Sequence, residues 1–186
     1  MLKRFVAAAA AALVPLVAVA YAMPDRVVHL VAGVSCVQGT VCVDDSSRIS
    51  EAEALYGEAL SFVSGSIGPL NEKPLVVFCS TESCYHAFGF SNATAKSVGG
   101  FAIVISPRGW KSYIIRHEMI HRLQVQELGA IRMYLEPEWF VEGMAYALSG
   151  DPRSPLAEPF ESFRSRFASW NVVRGNEKLW EQARKL

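Results

Sequence analysis

The chain has 186 residues, 51% of them apolar and 19% charged, with 18 basic and 18 acidic side chains. That length and balance fit one globular domain with a packed core and exclude disorder. The zero net charge offers no basic excess for nucleic acid. Removing the first 22 residues takes Lys3 and Arg4 away and leaves 16 basic against 18 acidic groups.

The N-terminus reads MLKRFVAAAAAALVPLVAVAYAMPD. Lys3 and Arg4 precede an uncharged run, and Ala20-Tyr21-Ala22 is a small-x-small cleavage pattern. Residues 1–22 are therefore expected to be a signal peptide or, if uncleaved, a membrane anchor through residues 5–24. Residues 23–186 then form a single domain outside the cytoplasm, secreted or periplasmic. Four cysteines agree with an oxidising address, and local pairing as Cys36–Cys42 and Cys79–Cys84 is the simplest of three connectivities.

Residues 26–45 hold two β-rich runs around Gln38 and Gly39, a hairpin that Cys36–Cys42 could staple. Ser50 and Glu53 have capping-box spacing ahead of a helix carrying Leu55, Ala59, Phe62 and Val63 on one face. PLVVFCS predicts a buried strand, TESCYHAFG one or two helical turns, and GGFAIVISPRGW a second strand ended by Pro107. A helix follows over 111–128, capped by Gly129. The next helix spans EPEWFVEGMAYALSGDP, with Pro137 in its first turn and Gly150 at its end. Phe160, Phe163, Phe167 and Trp170 recur as a core-facing stripe, and Asn176 is placed to cap a last short helix.

Within 111–128 lies HEMIH. His117 and His121 stand one turn apart on the same face, close enough to grip one ion, and Glu118 projects beside them as a candidate base. Chance produces H-E-x-x-H in on the order of one percent of chains this long, so a third ligand decides its meaning. The extended form with a glycine and a third histidine fails, because those positions hold Gln124 and Glu127. Glu142 follows His121 after 20 residues, enough for a loop and a returning helix. Gly143 and Ala145 permit close helix approach, and Trp139 and Tyr146 flank Glu142, suggesting a buried carboxylate that a metal would compensate. Glu138 is a rival ligand one turn earlier. His29 and His86 read as ordinary histidines.

RHEMIHRLQ followed by PEWFVEGMAYALSGD resembles the gluzincin zinc metallopeptidases, and among them the compact peptidase MA-like or minigluzincin type. Trp139, Glu142, Gly143 and Ala145 match that clan's W-x-x-E-G-x-A segment. The resemblance implies an α+β fold: a small zincin-like domain with a short mixed sheet packed on an active-site helix and a glutamate-bearing helix behind it. It implies one Zn2+ held by His117, His121 and Glu142, with Glu118 as general base. It also implies that a strand at 102–106 lies at the sheet edge and pairs with an extended substrate. Some members carry an orienting aspartate where this chain has Tyr146. Tyr146 is the candidate oxyanion donor, with Tyr134, Arg164 and Arg166 as rivals.

The expected function is zinc-dependent hydrolysis of a peptide or protein substrate by a monomer. The alternative is a catalytically silent zinc-binding domain that docks an envelope partner.

Overall fold

The computed structural model describes residues 24–98, 102–174 and 178–186. The proposed signal segment, residues 1–22, and the Asn176 cap lie outside the described residues. Packing divides the chain into two compact units. A sheet unit runs to Ala52 and resumes over Pro74–Pro107, and a helical unit comprises Glu53–Lys73 and Arg108–Leu186.

The sheet unit opens with helix α1 (Pro24–Ala32). This corrects the first of the two expected β-rich runs: 26–31 is helix despite its valines. Proline is well placed at a first helical position, and Gly33, at φ +64°, ends the helix by donating its N–H to the His29 carbonyl at 2.7 Å. A hairpin of β1 (Ser35–Val37) and β2 (Val41–Val43) follows. Gln38 and Gly39 both take positive φ at its turn. Cys36 and Cys42 face each other across the strands and are bonded, as are Cys79 and Cys84.

The sheet has five strands in the order β1-β2-β3-β5-β4, with β3 at Leu75–Phe78, β4 at Ala95–Val98 and β5 at Ala102–Ile105. The β2–β3 and β3–β5 pairs are parallel and the outer pairs antiparallel. Every residue of β3 and β5 is buried, as suits interior strands with continuous apolar runs. This overturns the expected edge position of 102–106. β5 is bonded on both sides, and the outer strand is β4, whose exposed Lys96 and Ser97 hid it from a search for apolar runs. One apolar cluster joins Val28 and Val34 to Leu75, Val77, Tyr85 and Val104. Tyr85 belongs to α3 (Glu82–Ala87), capped by the Thr81 hydroxyl.

The second helix, α2 (Ile49–Ser66), is led in by a 3-10 turn at Ser46–Arg48. Asp45 caps that turn by accepting from the Ser47 N–H at 3.0 Å, and Ser50 lies inside the helix instead of at its cap. An aspartate carboxylate satisfies the free amides of the preceding turn first. Ala59 and Val63 are buried as expected, with Ala52 and Tyr56 completing the face.

The helical unit continues with α4 (Ser112–Leu128), α5 (Ala130–Leu135), α6 (Glu138–Leu148), α7 (Phe160–Arg174) and α8 (Leu179–Ala183). Gly129, at φ +84°, stops α4. α6 packs on α4 and on α7. Among the described residues no helix is long and apolar enough to cross a membrane. The molecule is thus a mixed α+β structure with a five-stranded mixed sheet.

Candidate metal centre

α4 buries Ile114, Ile115, Met119, Ile120, Leu123 and Gln124. His117 and His121 fall on the flank of that buried face, a turn apart. Arg116 anchors the helix on its other side. Its guanidinium is paired with Glu58 and stacks 3.9 Å from the centre of the Phe62 ring, and it donates to the Ser149 carbonyl at 3.2 Å. The start of α4 is thereby tied both to α2 and to the end of α6.

α6 carries Glu142. Its close approach to α7 depends on Gly143, where an added Cβ would stand 2.3 Å from the Phe163 carbonyl oxygen. An aromatic series then locks the two helices. Phe140 meets Phe167 and Trp170 at 5.9 and 5.5 Å between ring centres, Trp139 meets Trp170 at 6.2 Å, and Tyr146 meets Phe160 at 5.1 Å. Such offset and edge-on contacts are the favoured aromatic geometries. The Phe160–Trp170 stripe is core-facing, as its spacing implied.

The structure brings His117, His121 and Glu142 together. His117 Nε2 lies 3.5 Å from one Glu142 oxygen, His121 Nε2 lies 3.6 Å from the other, and the two Nε2 atoms are 3.1 Å apart. Ligands held about 2.1 Å from a tetrahedral ion stand about 3.4 Å from each other. Each histidine is nearest a different Glu142 oxygen, and one ligand atom from each of the three residues lies within 4.8 Å of the others, so this donor set could hold a metal ion. The side chains of His117 and His121 are 12% and 17% exposed and that of Glu142 is 33% exposed. Glu142 is therefore partly open instead of the buried carboxylate expected from its neighbours. Solvent-side access is what a small substrate or a water would need.

Burial, and then the neighbouring His117, push the pKa of His121 below its ordinary value. At neutral pH the ring is uncharged, the state in which imidazole binds metals. Glu118 is half-buried between the histidines in sequence, and its charge acts on both His121 and Tyr146. The Tyr146 ring meets the His117 ring edge-on at 4.5 Å. Burial and the Glu142 charge raise the pKa of its phenol, which keeps the hydroxyl protonated as a hydrogen-bond donor. Arg153, paired with Asp151, sits 5.9 Å from the Tyr146 ring centre.

The rivals fall elsewhere. Glu138 is exposed at the start of α6 and does not join the trio. Tyr134 is 89% exposed on α5. Arg164 is engaged by Glu161 and the Arg153 carbonyl, and Arg166 stacks 4.4 Å from the Trp139 ring centre. His29 bonds the Val34 carbonyl, and His86 stands 3.9 Å from Glu82. Gln124 is the residue that motif spacing passed over. It entered only as a failed glycine position, yet it is fully buried and hydrogen-bonded to His121. No family model, curated protein or solved structure matches the chain.

Proposed function

We propose that the protein is an exported zinc-dependent peptidase of gluzincin type. The observation that carries the reading is the convergence of His117, His121 and Glu142 within 4.8 Å, with Glu118 in the first histidine's turn. Three protein donors of N and O type, and no fourth, are the set that catalytic and not structural zinc sites use. When bound, zinc supplies the Lewis acidity that makes water a nucleophile near neutral pH. The two histidines and Glu142 would hold the ion. Glu118 accepts the proton released as the peptide carbonyl is attacked and returns it to the leaving amine. Tyr146, held protonated beside His117, donates to the oxygen that gains charge. The two disulfides fit an extracellular or periplasmic site of action.

Metal analysis with peptide-library profiling tests this. Purified protein is expected to hold one zinc per chain and to cleave peptides. Glu118→Gln should keep the zinc and lose turnover by about 10³-fold, within the usual range for a positioned general base. Protein without stoichiometric zinc would overturn the proposal. Zinc bound without any turnover would support the partner-binding alternative.

A further inference from the structure

Gln124 is 0% exposed, which for an amide demands two well-made partnerships. Its Nε2 donates to the Val141 carbonyl at 2.9 Å, and its Oε1 faces His121 Nδ1 at 2.8 Å. The orientation of the amide follows from chemistry. A backbone carbonyl only accepts, so the NH2 end must face Val141 and the oxygen must face the imidazole. An amide oxygen also only accepts, so His121 Nδ1 must carry a hydrogen. A neutral imidazole has a single N–H, so Nε2 keeps its lone pair. Nε2 is the atom aimed at His117 Nε2 and at Glu142 Oε1, 3.1 and 3.6 Å away.

We infer that Gln124 is the positioning residue of the metal centre: it selects the Nδ1–H tautomer of His121 and ties that ring to the backbone immediately before Glu142. The inference rests on the metal-site reading above. Ligating histidines commonly spend the second ring nitrogen on a carboxylate, carbonyl or water. Here the acceptor comes from α4 itself, and the other end of the same amide grips α6. Two of the three ligands are thus set by one side chain. A carboxylate at this position would accept from Nδ1 but could not donate to the Val141 carbonyl. An apolar residue of similar size would do neither.

The test uses the full chain labelled with 15N in its histidines, stripped of metal and observed by NMR at about pH 8, above the ordinary histidine pKa. Zinc affinity is measured in parallel by competition with a chelator. In the wild type His121 should show a protonated Nδ1 and a bare Nε2. Gln124→Leu should lose that signature and bind zinc about 10- to 100-fold more weakly, the usual cost of removing such a partner. Gln124→Glu should restore the tautomer and recover part of the affinity, which a merely structural role would not predict. A bare Nδ1 on wild-type His121, readable even if no variant folds, overturns the inference. Equal zinc affinity in wild type and Gln124→Leu overturns the role of Gln124 alone. A wild type with the expected tautomer but no zinc overturns the metal reading, and the positioning role with it.

Discussion

All four cysteines belong to the sheet unit, whereas His117, His121 and Glu142 all belong to the helical unit. The sheet unit is closed by short covalent loops around a continuous apolar cluster. The helical unit has no disulfide and places a buried amide and three converging polar ligands among its helices. A covalent staple acts mainly on the unfolded chain and is indifferent to pH near neutrality. A ligand trio without an ion brings two imidazoles and a carboxylate together, which is favourable only when something holds them. The contrast teaches that one region is stapled covalently, whereas the other gathers polar groups whose convergence a bound ion would favour.

The strongest way to break the helical unit alone is Gly143→Ala. The new methyl meets backbone, which cannot rotate away, so a loss of about 3 kcal/mol is expected, at the upper end of overpacking costs. Hydrogen exchange should quicken across α6 and α7. Metal removal comes next. Zinc at about 100 times its Kd should add about 2.7 kcal/mol, which chelation would take away as a fall in melting temperature. Its protection should concentrate in α4 and α6. Replacing Cys79 and Cys84 together by alanine should cost about 2 kcal/mol, as expected for so short a loop, with zinc affinity unchanged. Weaker zinc binding in that variant would dissolve the contrast.

The smallest effect is electrostatic. Burial raises the pKa of Asp44, but hydrogen bonds from Ser80 and Thr81 outweigh it, leaving the carboxyl below its ordinary 3.8. A carboxylate depressed in the fold contributes stability above its unfolded pKa and loses it as pH falls through the folded value. Asp44→Asn should therefore cost about 1 kcal/mol at neutral pH, discounted for its solvent exposure. The gap to wild type in denaturant melts should close below about pH 4.

Apolar periodicity made α2, α4, α6, α7, β3 and β5 legible, because each buries a continuous or one-sided apolar set. It failed at α1, whose valines read as strand while a proline and a positive-φ glycine bound it as a helix. It failed again at β4, a half-polar outer strand, and so misplaced the sheet edge. At the site, helical spacing sufficed for His117 and His121, and the returning helix for Glu142. Gln124 escaped because a buried amide leaves no periodic trace. Its meaning lies in two partners, one of them a backbone carbonyl 17 residues away.

Gly143 and Trp139 also make up half of the segment by which Glu142 stands out in the sequence. In the structure the glycine answers to the Phe163 carbonyl and the tryptophan ring to Trp170, and neither is among the three converging ligands. A chain of this fold that held no ion would still need both. Half of the signature by which such a site is sought is thus a record of architecture, inherited whether or not the chemistry survives.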